Sequence, residues 1–305
     1  MPHILEMKRI IVQAFAIAMA FTASAGNNLP AHFDATAYRL AWSDEFDGTA
    51  LDRDTWNVED NGTGCGNNEL QYYIDSPSTV SVADGCLVLT ARRQDYGDSH
   101  KFVSGRINSC GKKAFTYGIV EAAIKLPATS DGLWPAFWMM GNDISINGWP
   151  ACGECDILEM GHADGIASGS QTKLFNGAVH YGPDAAHHHQ QVGVGQTDYS
   201  LQDGEFHHFY AVWTPESISM YVDADPEPYF VLDIRKDAVA GPESTGNYFH
   251  KPAFLLFNLA VGGDFTGIHD PAAITALGAG KGSEASMLVD YVRVYTPADV
   301  ADNNE

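Results

Sequence analysis

Short strand-like segments follow one another along most of the chain, and turns rich in Gly, Asn, Asp and Pro separate them. The clearest segments are 87–91, 117–126, 133–140, 154–160, 176–181, 207–213, 217–222, 253–261 and 287–295. A helical period is almost absent, and only 271–277 is predicted to form one short helix. Because strands without crossover helices pack sheet against sheet, the pattern predicts an all-β fold, with two antiparallel sheets in a β-sandwich or jelly roll.

Two of these segments, 133–140 and 253–261, are apolar on both faces, which is not expected of a sheet with one face in water. Side chains alternate along a strand, so Trp134, Ala136 and Trp138 share one face. We therefore expect one face of each strand in the core and the other in a concave cleft, where the two tryptophans form a stacking platform for sugar rings. The alternative is that both tryptophans belong to the core.

The charge balance narrows the choice of partners. The chain has 17 Lys and Arg against 39 Asp and Glu, a formal net charge of -22. Nucleic acids and anionic membranes bind cationic surfaces, so neither is an expected partner. A neutral polysaccharide meets no such repulsion. No feature of the sequence indicates an interface between subunits, so a monomer is the default expectation.

The first 25 residues have the pattern of a secretory signal peptide. A basic pair precedes the apolar run 10–21, and the small residues at 23–25 allow cleavage before Gly26. We therefore expect a secreted protein, extracellular or periplasmic, with a single domain over 26–305.

Five cysteines follow this segment, at positions 65, 86, 110, 152 and 155. Cys152 and Cys155 form a CxxC sequence, but its flanks read as strand, whereas a redox CxxC begins a helix in a βαβ unit. A zinc site needs a second Cys or His pair at suitable spacing, and none is near. Apolar packing of the thiols, or one structural disulfide, is the expectation.

An acidic strand is the most specific feature of the sequence. Glu154 and Asp156 are two residues apart and share a face, whereas Glu159 would fall on the opposite face of a regular strand. One β-bulge at Ile157–Leu158 would add a residue and return Glu159 to the side of the other carboxylates. Three like charges on one face repel, and such clusters separate pKa values in the way that acid–base chemistry requires.

Two carboxylates on either side of a glycosidic bond are able to cleave it. At a separation of about 5–5.5 Å, one attacks the anomeric carbon while the other protonates the leaving oxygen, and the configuration is retained. Asp156 would lie between them and hold the charge of the nucleophile. The alternative is a Ca²⁺ site, but calcium prefers loops rich in Asp, Asn and carbonyl groups with a sharp Gly turn.

From about residue 40 to residue 295 the sequence resembles glycoside hydrolase family 16, in particular its bacterial endo-1,3-β-glucanases, the laminarinases. The stretches that carry the resemblance are 44–48, 67–73, 117–121, 133–139, 154–159, 180–182, 206–213, 258–263 and 289–295. The E-x-D-x-x-E strand preceded by Trp-Pro is the most specific of them. The resemblance implies a β-jelly roll with a concave substrate cleft, in which Glu154 is the retaining nucleophile, Glu159 the general acid/base and Asp156 a helper.

The resemblance also implies an activity: hydrolysis of internal β-1,3 bonds in laminarin-type glucans by double displacement, with no catalytic cofactor. The same mechanism on a mixed-linkage β-1,3(1,4)-glucan or an algal galactan stays open. A further alternative is a β-glucan-binding protein without turnover, although such relatives lose the catalytic carboxylates, which this chain has.

Further positions follow from the resemblance alone. Trp149, Trp138 and Trp134 would contact glucosyl rings, His180 would lie on the leaving-group side, Asn258 and Glu121 would line the cleft floor, and Asn67 would lie at the donor end. A structural Ca²⁺ on the convex side would use Glu45, Gly85 and Asp290, partly through main-chain oxygens.

The chain departs from the usual family pattern at a few positions. Asp264-Phe265 stands where the family usually has Trp after the Gly pair, and Ala123 and Ile119 replace common basic residues. These departures concern the donor-side subsites and not the reaction. The run 187–189, three histidines on a loop between strands, is predicted to be a solvated surface segment.

Overall fold

The computed structural model describes residues 29–34, 36–236 and 241–298, so the predicted signal peptide lies outside the described residues. The strands are β1 Tyr38–Asp44, β2 Asn57–Val58, β3 Gln71–Tyr73, β4 Val80–Ala83, β5 Cys86–Tyr96, β6 His100–Ser104, β7 Arg106–Asn108, β8 Gly118–Lys125, β9 Leu133–Gly141, β10 Glu154–Met160, β11 Leu174–Tyr181, β12 His189–Gln196, β13 His207–Trp213, β14 Ser217–Val222, β15 Phe230–Asp233, β16 Ala253–Val261 and β17 Glu284–Pro297. Two short helices, α1 Ile144–Asn147 and α2 Ala163–Ser168, flank β10.

These strands form two sheets, as predicted. The first, called here the outer sheet, runs β15-β14-β13-β8-β17-β5-β6-β3, with β1 paired to β17 and β4 paired to β5. The second, called the cleft sheet, runs β12-β11-β10-β9-β16-β7-β2. All pairings are antiparallel except that of β3 with β6. The expectation of an all-β fold with two largely antiparallel sheets is confirmed.

The core lies between the two sheets and is built by alternation along each strand. On β9 and β16, Phe137 and Phe257 are register partners, and their rings stack at 4.7 Å between the sheets. The residues next to Phe137, Ala136 and Trp138, point the other way, into a separate apolar cluster on the cleft face. Both faces of these strands are therefore apolar because one packs in the core and the other lines the cleft.

Each of the nine predicted strand segments corresponds to a strand, and 154–160, 207–213, 217–222 and 253–261 agree to the residue, whereas 117–126 extends one residue beyond β8 at each end. The predicted helix over 271–277 is wrong, since only a single 3₁₀ turn forms at Pro271–Ala273, where the Asp270 carboxylate accepts a hydrogen bond from the Ala272 amide. Within the described residues, no helix has the length and apolar character needed to cross a bilayer.

All five cysteines lie in the described part of the chain and are free thiols, so the alternative of a disulfide is wrong. Cys152 and Cys155 are buried in two different apolar clusters, one on the cleft face and one in the core. The CxxC sequence therefore packs as two small apolar side chains on opposite faces of the sheet.

Gly161 follows β10 directly and fixes where this strand ends. Its φ is +101°, and a Cβ at this position would lie 2.1 Å from the main-chain oxygen of Leu133, at the start of β9. Gly169, which ends α2 with a φ of +71°, has open space around its missing Cβ.

We predict that Gly161→Ala lowers the free energy of unfolding by about 3 kcal/mol or more, because the backbone of β9 has no flexible end that can move aside. For a chain of this size that corresponds to a melting temperature lower by roughly 6–12 °C, measured by calorimetry. The matched control Gly169→Ala introduces only the left-handed backbone strain, and we expect it to cost about 1 kcal/mol. Equal losses in the two variants would contradict this account.

Candidate active site

A cleft of about 730 Å³ crosses the exposed face of the cleft sheet. Its lining comes from six neighbouring strands, β12, β11, β10, β9, β16 and β7, and from the turn at Gly64–Gly66. Because neighbouring strands are about 4.8 Å apart, five spacings make the cleft roughly 24 Å long. The three acidic residues of β10 lie in the middle of this length.

The bulge predicted in β10 is present. Opposite β9, Glu154 pairs with Met140 and Asp156 with Trp138, whereas Glu159 pairs with Ala136 after a register shift. The three partners have the same parity on β9, which keeps all three carboxylates on the cleft face. The inserted residues, Ile157 and Leu158, are fully buried in the core.

Two tryptophan indoles hold the outer carboxylates of this strand. The Trp149 Nε1–H donates to Oε2 of Glu154 at 2.8 Å, and the Trp134 Nε1–H donates to Oε1 of Glu159 at 3.0 Å. Trp134 also stacks on Phe265, with ring centroids 4.6 Å apart. Each glutamate is thus restrained by an indole N–H. The indole of Trp134 is held by its stack on Phe265, and that of Trp149 lies at the rim of the cleft.

Burial raises the pKa of all three carboxyl groups, and repulsion from neighbouring carboxylates adds to the rise for Asp156 and Glu159. Burial raises the pKa of Glu154 to about 7, against the stabilising hydrogen bond from Trp149. Burial, the charge of Glu154 and, more weakly, that of Glu69 raise the pKa of Glu159 to about 8. Burial and both glutamates raise the pKa of Asp156 well above its usual value. The cluster therefore holds protons near neutral pH, and Glu159 holds its proton more strongly than Glu154 does.

Two histidines border the cluster on the side of β11 and β12. His180 Nε2 lies 3.4 Å from Oδ2 of Asp156 and 3.9 Å from Oε1 of Glu154. Its Nδ1 is 2.9 Å from Nε2 of His188, and the two rings stack. The ring of His188 also lies 4.7 Å from that of Trp149. Burial lowers the pKa of His180 to about 4, with a further contribution from His188, so the His180 ring is neutral.

The floor of the cleft is built around Trp138. Its Nε1–H donates to Oδ1 of Asn258 at 2.8 Å, and the Asn258 amide donates to the Tyr73 hydroxyl. The guanidinium of Arg106 lies 4.9 Å from the Trp138 ring and is paired with Glu59 at 2.9 Å. Trp138 is therefore part of a fixed floor.

Two alternatives were open for Trp134 and Trp138, a stacking platform in the cleft or packing in the core, and each is correct in part. Trp134 and Trp138 line the cleft, as the platform requires, yet they are only 7% and 8% exposed. Trp149 is 41% exposed and offers the large free aromatic surface of the three.

At the end of the cleft near the Gly64–Gly66 turn, Asn67 donates to Oε1 of Glu69 at 3.4 Å. Glu69 is buried and also accepts from the Tyr73 hydroxyl at 2.9 Å. The neighbouring Asn68 donates to the carboxylate of Asp264. Asn67 thus lines the cleft as expected, at the end that lies beyond Glu159.

Glu121 does not line the cleft, and this expectation is wrong. It lies on β8 of the outer sheet, where it is 1% exposed. The hydroxyls of Tyr291 and Tyr295 donate to its two oxygens at 2.8 and 3.1 Å, and His208 Nδ1 lies 3.2 Å away. This carboxylate fixes side chains on the face of the outer sheet that points away from the core.

The remaining predicted substrate positions, Asn67, Trp134, Trp138, Trp149, His180 and Asn258, all line the cleft together with Glu154, Asp156 and Glu159. Sequence reasoning missed Glu69, Arg106, Asn176, His188 and Phe265, which line it as well. The expectation of a solvated histidine run is wrong for His188, which turns into the cleft, and only His187 is exposed.

The predicted calcium positions lie near one another on the outer sheet, but their side chains fit Ca²⁺ only in part. Arg293 binds both oxygens of Glu45, at 2.9 and 2.7 Å, so this carboxylate is already neutralised. Among the residues that the structure describes, none forms such a pair with Asp290, and burial together with the charge of Glu45 raises its pKa. Gly85 has a φ of +76° and no side chain to offer. Because Ca²⁺ takes six to eight oxygens, a site here depends on main-chain carbonyls.

Comparison with known proteins gives a consistent result. The family model described as "Glycosyl hydrolases family 16" matches residues 67–241. The chain is 36% identical over 275 residues to "Glucan endo-1,3-beta-glucosidase A1" of Niallia circulans, an alignment that covers 84% of this chain and 37% of that longer protein.

Two solved structures are also similar. One is a family 16 enzyme of the Bacteroides ovatus mixed linkage glucan locus, in complex with a G4G4G3G product, with 42% identity and a TM-score of 0.72, covering 83% of this chain and 99% of that one. The other is the catalytic domain of a Thermotoga petrophila endo-1,3-beta-glucanase (laminarinase), with 32% identity and a TM-score of 0.71, covering 86% and 99%. By sequence, by fold and by the family model, the chain belongs to glycosyl hydrolases family 16.

Proposed function

We propose that this chain is a secreted endo-β-1,3-glucanase that cleaves internal bonds of laminarin-type glucans with retention of configuration. The observation that carries the proposal is the bulged strand β10, which keeps Glu154 and Glu159 on one face in the middle of a roughly 24 Å cleft. A cleft of this length with the chemistry at its centre suits the interior of a polymer rather than a chain end.

In the first step Glu154 attacks the anomeric carbon, the bond to the leaving sugar breaks, and the proton of Glu159 passes to the leaving oxygen. In the second step water attacks the same carbon, its proton returns to Glu159, and the bond to Glu154 breaks. The electrostatics of the pair support these roles, because the charge of ionised Glu154 raises the pKa of Glu159 and so favours the protonated acid that the first step needs.

Asp156 supports the nucleophile and does not itself contact the sugar in this scheme. It is 4% exposed, and burial together with the charges of both glutamates favours its protonated form. A protonated Asp156 next to ionised Glu154 adds no further negative charge to the site. It thereby lets Glu154 ionise while Glu159 stays protonated.

A specific observation favours a second candidate, a mixed-linkage β-1,3(1,4)-glucan as substrate. The identity to the Bacteroides ovatus structure, an enzyme of a mixed linkage glucan locus, is 42%, compared with 32% for the Thermotoga petrophila laminarinase. Phe265, in the Asp264-Phe265 pair that follows the two glycines, stacks on Trp134 and so shapes the sugar positions beyond Glu159.

The experiment that tests the proposal has two parts. Purified protein is incubated with laminarin, curdlan, lichenan, agarose and carrageenan, and early products are sized, because endo action releases long oligosaccharides first. The anomeric configuration of the first product is then read by proton NMR. Faster release from lichenan than from laminarin would favour the mixed-linkage candidate, and an inverted anomer would exclude double displacement.

We predict that Glu154→Ser abolishes hydrolysis, by a factor of about 10⁴ or more, because no nucleophile remains. Binding of the glucan, measured by calorimetry, should persist, since Trp149 and the cleft floor are unchanged. Most of the activity surviving in this variant would refute the assignment of Glu154.

We predict that Trp134→Phe moves the alkaline limb of the pH–activity profile upward. The lost Nε1–H stabilises ionised Glu159, so its removal raises the pKa of that acid, and the protonated form persists to higher pH. A hydrogen bond to a charged group is worth about 1.5 kcal/mol, which corresponds to roughly one pH unit. In the control Trp138→Phe the lost N–H goes to Asn258 and not to a carboxylate, so the limb should stay in place. An unchanged limb in both variants would argue against Glu159 as the general acid.

We also propose a structural Ca²⁺ on the outer sheet, bound by the Asp290 carboxylate and by main-chain oxygens of Glu45 and Gly85. The proposal is supported by the contrast between the two carboxylates, since Arg293 binds that of Glu45 and no described residue forms a salt bridge with that of Asp290. We predict that excess EGTA lowers the melting temperature of the wild-type protein and leaves that of Asp290→Asn unchanged. No effect of EGTA on the wild-type protein would exclude this site.

Secretion is part of the proposal and is supported by the basic, apolar and small-residue pattern of the first 25 residues. The exported protein should begin at Gly26 when its N-terminus is sequenced. A cell-associated protein that still carries these residues would contradict it.

A further inference from the structure

Three potential metal ligands meet at one end of the carboxylate cluster. One ligand atom each from Glu154, Asp156 and His180 can be chosen so that all three atoms lie within 4.8 Å of one another. The distances to His180 Nε2 are 3.4 Å from Asp156 and 3.9 Å from Glu154. Among the described residues this is the group of acidic, histidine and cysteine side chains whose spacing suits one ion.

A second observation points to a missing ligand. Oδ2 of Asp156, a residue that is only 4% exposed, has no hydrogen-bond partner within the described part of the chain. A buried polar oxygen without a partner is costly in a folded protein, whether or not the carboxyl group carries its proton. This oxygen is directed at the space between His180 and Glu154, where a cation would satisfy it.

The histidine is prepared to act as a ligand. When its Nδ1–H donates to Nε2 of His188, at 2.9 Å, the lone pair of Nε2 is left facing the two carboxylates. Metal-binding histidines are usually oriented in this way by a partner on the other ring nitrogen.

We propose that Glu154, Asp156 and His180 form a binding site for a divalent transition-metal ion of the Zn²⁺ type, and that occupation of this site inhibits the enzyme. Ligands about 2.0–2.1 Å from a tetrahedral ion are about 3.3 Å apart, so the observed 3.4 Å between His180 and Asp156 already fits. The other two pairs would have to close from 3.9 Å and from at most 4.8 Å. Water would complete the coordination.

The donor set selects the kind of ion. Two carboxylates and one imidazole suit Zn²⁺, whereas Ca²⁺ and Mg²⁺ prefer six or more oxygen ligands. A dication also relieves the repulsion among the three carboxylates on this face of β10. Metal binding does not depend on the identity of the polymer, but the inhibition rests on the proposed role of Glu154 as nucleophile, since a bound ion occupies its oxygen.

The test measures Zn²⁺ binding by calorimetry and by thermal shift, on the untagged full chain at constant pH near 7, in parallel with hydrolysis of a β-glucan. His180→Gln removes one ligand and should weaken Zn²⁺ binding at least about tenfold. Asp156→Asn is a second variant that keeps the shape of the cleft, and it should weaken binding to a similar degree. Circular dichroism verifies that each variant is folded.

The matched control addresses the nearby histidine run. The double variant His187→Gln/His189→Gln removes two histidines of the run and leaves the three proposed ligands intact. We expect it to bind Zn²⁺ as the wild-type protein does. Loss of binding in this control with retention in His180→Gln would show that the surface run holds the ion, and the proposal would be overturned.

Two further outcomes separate this proposal from the proposed function. Absence of Zn²⁺ binding to the wild-type protein up to millimolar concentration would overturn the metal site and leave the glucanase assignment intact. Binding that depends on His180 and Asp156 but leaves hydrolysis unaffected would support the site, overturn its inhibitory effect and count against Glu154 as the nucleophile. Addition of Mg²⁺ at the same concentration should produce neither the thermal shift nor the inhibition.

Discussion

The repulsion between three carboxylates held on one face of β10 is the constraint on which the rest of the site depends. One extra residue in the strand brings Glu159 to the side of Glu154 and Asp156, and no regular strand of this sequence does so. The bulge is stable because Ile157 and Leu158 are fully buried between the sheets. The two tryptophan indoles then restrain the outer carboxylates, and the neutral histidine faces the third side.

This arrangement lowers stability as the pH rises. Carboxyl groups whose pKa is raised in the folded protein bind protons that the unfolded chain has already released, here between about pH 4.5 and 8 for Glu154 and Glu159. The folded state therefore loses stability over that interval, and the apolar core has to offset the loss. Aromatic pairs such as Phe137 and Phe257, stacked directly beneath the cleft sheet, contribute to this apolar core.

The sequence predicted the structure well where the alternation of side chains between the two faces of a strand decides it. It predicted less well the positions that depend on tertiary contacts. The bulge at Ile157–Leu158 was predictable because no regular strand places all three carboxylates on one face and the apolar residues between them on the other. Glu121 was misplaced because a carboxylate on an apolar strand looks the same whichever sheet contains the strand, and only tertiary contacts reveal the hydroxyls that bind it. His188 was missed because local sequence does not show the stacking on His180 that turns it into the cleft. The prediction of a helix over 271–277 was wrong because this loop forms only a single 3₁₀ turn with a side-chain cap.

Trp149 joins the exposed rim of the cleft to the carboxylate of Glu154 through one hydrogen bond, so a ligand bound at the rim affects that carboxylate. Its indole is 41% exposed, yet its N–H is bonded to a carboxylate. Any flat ligand laid on the indole also expels water from around that hydrogen bond. The local dielectric constant falls, and both the bond and the electrostatic coupling among the acids strengthen. Occupancy of the rim therefore tunes the reactive group beneath it without any movement of the backbone.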